Sequence, residues 1–325
     1  MKPAITVITP VYNVKPFIKK CAESLMAQTF VDVEFIFVDD ASTDGSSDIL
    51  KSVVERYPNK NVRIIRHSEN QGLPSSRKTG FEASSGKYIF NCDGDDWVEP
   101  MLLEKMFNAV APMDIDYAYC DFYLSYEHSE RYMKCPSFST PDEALRKGYL
   151  SGLAKYNVWN KLIKRDLYEG VVFPVDHKKG GEDMIMLGIL SKAKSIAYVQ
   201  EALYHYVKIN ASAISVGFSQ QHLIDVKYNA DTAIRELRTS YDGDLEKEIA
   251  FFKLNVKLPF LISDDSSRYA VWKDWYQEAN QYIWKNEYQS FRNKLIQWFA
   301  AKEYFWVIKI YYTIVYRIIY GLLYK

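Results

Sequence analysis

Three stretches of this 325-residue chain gather residue types that do chemistry. Asp93-Gly94-Asp95-Asp96 places three carboxylates in four positions. Two carboxylates one residue apart on an extended or turning backbone point to one side, and the glycine between them removes a side chain that would block the approach of a phosphate. Hard oxygen ligands in small number suit Mg²⁺ or Mn²⁺, which keep waters and take their remaining ligands from substrate phosphates. Asp39-Asp40-Ala41-Ser42-Thr43-Asp44 is a second acidic cluster. Thr43 or Asp44 suits the start of a following helix, but two further aspartates exceed what capping needs, and a carboxylate there is suited to accept the imino N–H of a uracil ring. The third is Gly180-Gly181-Glu182-Asp183, an acidic pair opening the apolar run MIMLGIL. Each has a plainer reading: Asp96 as the cap of a helix starting near Glu99, and Glu182-Asp183 as first-turn carboxylates favoured by the helix dipole.

The elements that must position these residues follow from the hydrophobic periods. Residues 4–9 are a β-branched run of strand type, after which Phe17, Ile18, Cys21, Ala22, Leu25 and Met26 recur at helical spacing. Residues 34–38, 62–65 and 87–92 repeat the strand pattern, with helical faces at Ile49, Leu50, Val53 and Val54 and over 74–83 between them. Strand then helix, repeated, predicts an α/β fold with a mostly parallel sheet flanked by helices. Ligands of such sheets lie beyond the carboxyl ends of the strands, where both aspartate clusters fall. Crowded carboxylates raise one another's pKa, and a divalent cation is the simplest compensation. Past Asp116 the rhythm changes: 117–126 is an aromatic strand, 141–150 a short helix, and from about Ser219 the pattern is helical to the end.

Lysine plus arginine and aspartate plus glutamate each number 41, so the formal net charge is zero and no overall positive field exists to hold a nucleic-acid backbone. The four cysteines, Cys21, Cys92, Cys120 and Cys135, form no C-x-x-C pair and read as buried thiols of a reducing compartment. The first residues are too short an apolar run for a secretory signal, which predicts a cytoplasmic protein. Residues 303–325 are mostly aromatic or β-branched, but Lys309 and Arg317 interrupt them, so they fall short of the roughly 20 apolar residues of a spanning helix. At about 100° per residue Lys302 and Lys309 nearly coincide, giving a basic stripe beside a Tyr, Trp and Ile surface. With Arg317 and Lys325 against Glu303 alone, such a helix is suited to the headgroup layer of a membrane; the alternative is packing on its own domain or in a homodimer seam.

The ordered series TPVYN, VDDASTDGS and ENQGLPSSRKTGFEASSGKYIFNCDGDDWVEP resembles the signature of inverting family 2 glycosyltransferases with the GT-A fold, over roughly residues 4–210. The resemblance implies a nucleotide-sugar donor, a UDP-sugar, with Pro10 and Tyr12 lining the base, Asp40 on the uracil, Arg77 over the nucleotide, Asp93 on the ribose and Asp95 on Mn²⁺ or Mg²⁺. Glu182-Asp183 resembles the family's ED motif, which implies Asp183 as catalytic base. His205 stands where some members place a residue that reaches the diphosphate or the metal, so it is a second candidate metal ligand. Trp159-Asn160-Lys161-Leu162 resembles the acceptor-side W-x-K-L segment, and the basic triplet His177-Lys178-Lys179 would flank the mouth for a glycan or lipid-linked acceptor. The implied organisation is a nucleotide-sugar-binding half over 1–115, an acceptor-binding half over 116–215 and a helical region over 216–325, at the inner face of a membrane. Without Q-x-x-R-W or spanning helices the transfer would be of single sugars, in surface polysaccharide synthesis. A catalytically degenerate sugar-nucleotide-binding scaffold and a nucleotidyltransferase are the alternatives; the second would need a glycine-rich loop where TPVYNVKP has no glycine.

Overall fold

The computed structural model describes residues 2–177, 181–210, 219–263 and 265–315, with the side chain of Asp183 outside that set. β1 (Ile5–Val11) and β2 (Val33–Asp39) are buried at every position, the mark of parallel strands covered on both faces. Around them run β3 (Asn61–Arg66) and β4 (Tyr88–Asn91), with α1 (Ile18–Met26), α2 (Ser46–Val54) and α3 (Leu73–Ala83) as crossovers. β1 pairs in parallel with both β2 and β4, and β2 with β3, in a register that sets Val11 against Asp39 and Asp39 against Arg66. The strand ends that carry the two aspartate clusters therefore share one edge, as the sequence predicts.

The rest of the sheet is added by β5 (Trp97–Val98), α4 (Leu102–Val110), β6 (Tyr117–Ser125), β7 (Glu130–Met133), β8 (Lys161–Lys164), and β9 (Ile196–Val207). The strand order is β3-β2-β1-β4-β8-β6-β9-β5, with β7 paired to β6. β8 is antiparallel to both β4 and β6, and β6 is parallel to β9. The sheet is thus a parallel half continued by a mixed half. Phe35, Phe37, Tyr88 and Phe90 pack against Leu25, Leu50, Leu102 and Met106 in its main core. The helix expected from near Glu99 begins at Leu102, because Trp97–Val98 is first recruited as a strand by β9. The helix expected over 141–150 is one turn, α5 (Pro141–Glu143), continued as a π-helix over Ala144–Leu150. α6 (Glu182–Leu190) opens at the acidic pair, and α7 (Gln220–Ser240) follows β9.

Two compact units divide the chain: residues 1–141 with 156–240, and residues 142–155 with 241–325. α7 thereby belongs with the sheet. The second unit holds α8 (Glu246–Lys257), α9 (Ser266–Asp274), α10 (Phe291–Ala301) and α11 (Phe305–Tyr312), around a core of Ala250, Leu254, Tyr276, Ala279 and Ile283. Inside it Lys257 is fully buried, and its Nζ donates to Trp275 O at 2.9 Å and Asn280 Oδ1 at 2.7 Å, 4.0 Å above the Trp272 ring. Among the described residues no helix is long and apolar enough to cross a membrane.

Candidate active site

The loops after β1 and β2 are folded onto each other by their polar side chains. Asn13 and Ala41 take positive φ, 50° and 59°, and Asn13 Oδ1 accepts from Thr43 N at 2.9 Å while its own N–H donates to Ser42 Oγ at 3.2 Å. Asp44 accepts from Lys15 N and from Ser46 N, so the expected capping role at the start of α2 falls to it. The two aspartates at the end of β2 differ in task. Asp39 accepts from Ser42 N and pairs with Arg66. Asp40, 2% exposed, accepts from Gln71 N and Gly72 N at 2.9 and 2.7 Å, and its Oδ1 lies 2.7 Å from His67 Nδ1. Asp40 thus shapes the turn into α3, which carries Arg77. Pro10 is buried in β1 and the Tyr12 ring stands exposed at the rim.

Arg77 joins two of the three acidic stretches. It is 3% exposed, its Nη2 donates to Asp93 Oδ1 at 2.9 Å and its Nη1 to Glu182 Oε1 at 2.6 Å. Burial alone would weaken the guanidinium's hold on its proton, but Glu182 and Asp93 more than offset it and raise its pKa. Glu182 shows the converse: burial lifts its carboxyl above the ordinary range against the pull of Arg77. A planar fork that reaches two carboxylates from different elements is geometry that lysine cannot copy. Lys161 on β8, 3% exposed, adds a second buried cation whose pKa burial lowers to about 8; Glu182 opposes that shift. Asp183 is the next residue of α6, and its side chain, like Lys178 and Lys179, lies outside the described residues. His177 of the basic triplet stacks on Tyr228 at 3.8 Å, with its Nδ1 3.3 Å from Asp225 Oδ1.

The Asp93–Asp96 turn is locked from β9. Tyr204 donates its hydroxyl to Asp96 Oδ2 at 2.6 Å and accepts from Asp93 N at 3.1 Å, and Val207 N donates to Asp96 Oδ1 at 2.8 Å. Asp96 therefore braces the turn and caps no helix. Asp95 accepts from Asn210 Nδ2 at 2.7 Å, and burial followed by the charge of Asp93 raises its carboxyl above the ordinary range. Gly94 is needed for a different reason than expected: a Cβ there would come within 2.7 Å of Pro10 O, so the glycine lets the turn close on β1.

His205 is the correction. Side chains alternate along a strand, and with Tyr204 turned to the aspartates His205 faces the other side. There its Nε2 lies 2.9 Å from Glu99 Oε1 and its Nδ1 2.8 Å from Glu130 Oε1, with the ring stacked on Trp97 at 3.4 Å. It ties β5 to β9 and does not join Asp95.

Among the described residues no group of three His, Cys, Asp or Glu side chains is arranged to chelate an ion. Asp95 nevertheless fits a magnesium- or manganese-type ion that takes one carboxylate from the protein and the rest of its ligands from phosphate and water. Its crowded, buried carboxylate is the group such a cation would relieve.

Sequence reasoning missed Tyr204, Tyr206 and Asn210, and it took Trp159 as part of the acceptor-side W-x-K-L segment without placing it against the acidic turn. Trp159 stacks on Tyr204 at 4.5 Å and lies 5.3 Å from Tyr206, flooring the acidic turn. β9 shows no clean alternation, its burial being mixed along its length, so only the tyrosine-rich run LYHYV marked it.

Known proteins resemble this chain in sequence and in fold. EpsJ of Bacillus subtilis (strain 168), an uncharacterized glycosyltransferase, is 31% identical over 81% of this chain and 78% of its own length. EpsH of the same organism, also named as a glycosyltransferase, is 32% identical over 65% of this chain, which spans 62% of that relative's length. Among solved structures, S. aureus TarS 1-349 in complex with UDP-GlcNAc superposes with a TM-score of 0.68 at 17% identity, covering 96% of this chain and 91% of that one. Mannosyltransferase PcManGT from Pyrobaculum calidifontis, in complex with GDP-Man and Mn²⁺, gives 0.55 at 17% identity over 96% and 84%. The fold is that of the GT-A glycosyltransferases. The family model described as Glycosyl transferase family 2 matches residues 6–186, a span that runs from β1 through the Asp93–Asp96 turn into α6 and so contains the Arg77 bridge; the chain belongs to glycosyl transferase family 2.

Proposed function

We propose that this protein is a metal-dependent, inverting glycosyltransferase that moves one sugar from a UDP-sugar to a glycan or lipid-linked acceptor in surface polysaccharide synthesis. The observation that carries the reading is the Arg77 bridge, which fastens the donor-side Asp93 to the ED pair of α6 at the carboxyl edge of the parallel strands. Tyr12 and Pro10 would line the base and Asp40 its imino edge, with Asp93 on the ribose. Asp95 would hold Mn²⁺ or Mg²⁺, whose chemistry is to neutralise charge on the departing diphosphate. Asp183 takes the proton of the acceptor hydroxyl as that oxygen bonds to the anomeric carbon. The bond from that carbon to the diphosphate oxygen breaks on the opposite side, its electron pair leaving with the nucleoside diphosphate, and the configuration inverts. Glu182, paired to Arg77, orients the helix that presents Asp183.

The C-terminal unit supports an acceptor held at a membrane. Trp306, Ile310 and Ile314 follow one another at four-residue spacing and are 66%, 51% and 47% exposed. Lys302 and Lys309 are exposed beside them, and Glu303 is paired with Lys273 at 2.8 Å. Arg317 and Lys325 lie outside the described residues. An apolar stripe with flanking cations is the pattern of a helix lying in the headgroup layer.

The test is calorimetry with UDP, GDP and ADP, with and without Mn²⁺, on the full chain and on Asp95→Asn and Asp183→Asn. The expected result is manganese-dependent binding of UDP that Asp95→Asn abolishes and Asp183→Asn retains, with transfer lost in both. No nucleotide binding under any metal condition would overturn the enzyme reading in favour of a degenerate scaffold.

A further inference from the structure

The phenol of Tyr206 is an unspent donor at the centre of the acidic site. The register sets Trp97 opposite His205 and Val98 opposite Tyr204. One step further brings position 206 to Asp96, on the face that Tyr204 shares. The hydroxyl of Tyr204, two positions back on the same face, is spent on Asp96. Tyr206 is half-buried against Trp159, and among the described residues its hydroxyl has one polar neighbour, Lys208 Nζ, itself a donor, at 3.5 Å. The phenol oxygen accepts from Lys208 at a separation longer than a well-formed hydrogen bond, and this contact leaves the phenol's own hydrogen free to donate. Lys208 is exposed, and its ammonium also lies 4.5 Å above the Tyr206 ring. Burial, with the charges of Asp96, Asp93, Asp95 and Glu182, pushes the phenol up to about 12, so it keeps its proton.

The phenol hydrogen of Tyr206 and the ammonium of Lys208 converge, and together they suit an oxygen that carries negative charge. Four carboxylates surround the place, so a bare anion would be repelled, and one that arrives with its own divalent cation would be admitted. We infer that Tyr206 and Lys208 hydrogen-bond a terminal phosphoryl oxygen of the metal-bound nucleoside diphosphate. Resting on the donor-site reading above, this adds a contact that the sequence motifs did not assign. The pair holds charge as it develops on the leaving group, on a stacked phenol that needs no reorganisation.

The experiment compares uridine, UMP and UDP by calorimetry at saturating Mn²⁺ on the wild-type full chain, Tyr206→Phe, Lys208→Met and the double variant, each first checked by thermal melting. Tyr206→Phe keeps the ring on Trp159 and removes only the hydroxyl. The expected result is UDP affinity lowered about tenfold by each single change, the scale of a hydrogen bond to a charged group, with uridine unchanged and the double loss smaller than the product of the singles. UDP binding by Tyr206→Phe equal to wild type, or an equal loss for uridine and UDP, would overturn the inference. Absence of UDP binding by the wild type would instead overturn the donor site on which it rests.

Discussion

At the scale of the residue, Arg77 decides whether the site exists. Its two carboxylate partners come from β4's turn and from α6, and removing a buried charge leaves the opposite ones uncompensated, at about 3–5 kcal/mol. Arg77→Met is expected to lower stability by that order in denaturant unfolding and to abolish UDP binding. Arg77→Lys is expected to recover part of the stability and little of the binding, since one ammonium cannot fork to Asp93 and Glu182. Equal binding by Arg77→Lys and wild type would show the bridge to be mere charge balance. His205 gives the opposite lesson. The family resemblance makes it a candidate metal ligand, but the pleat places it with Glu99 and Glu130 on the far face. His205→Phe is expected to cost about 1 kcal/mol in unfolding, with the Mn²⁺ dependence of UDP binding unchanged.

At the scale of the element, one contact inside each unit sets how firmly its own elements are held. Gly94→Ala puts a methyl 2.7 Å from the Pro10 carbonyl, a backbone atom that cannot swing away. The turn must shift, and a loss of about 1–3 kcal/mol with weaker UDP binding is expected. Wild-type binding in that variant would mean that the turn has slack. Lys257 couples α8 to the carbonyls after α9, and burial, opposed by the charge of Glu278, lowers its ammonium to about 7. An unfolded lysine titrates near 10.4, so between about pH 7 and that value the unfolded chain holds a proton that the folded one lacks, and stability rises with pH. The burial penalty is full below about pH 7 and relieved above it. The difference in melting temperature between wild type and Lys257→Met should therefore move in favour of wild type from pH 6.5 to pH 9.5. A flat difference would show that the carbonyl cage keeps the lysine charged throughout.

At the scale of the whole molecule, a chain of zero formal net charge carries exposed Trp306 and Ile310 beside Lys309 on α11. Flotation with vesicles of anionic lipid is expected to bring the full chain to the top of the gradient at low salt and less of it at high salt. The double change Trp306→Ser with Ile310→Ser is expected to abolish flotation while leaving UDP binding intact; flotation that survives it would assign the stripe to a protein partner. The parallel half was legible from the sequence because β1 and β2 are rich in β-branched or aromatic residues and their crossovers repeat a 3.6-residue period. The clusters at Asp39 and Asp93 were legible for the same reason, since a parallel sheet must deliver its strand ends to one edge. β8 and β9 were not, being a four-residue strand and one with mixed burial. Which face a residue takes on such a strand depends on the partner that sets its register, and partners 100 residues away in the chain leave no local pattern, as Asp96 and Tyr204 show. The sequence by itself thus determined that the two aspartate clusters meet at one edge of the sheet; the tertiary structure alone decided that His205 turns away from Asp95, that Gly94 serves Pro10, and that Arg77 joins Asp93 to Glu182, because each is a matter of long-range pairing.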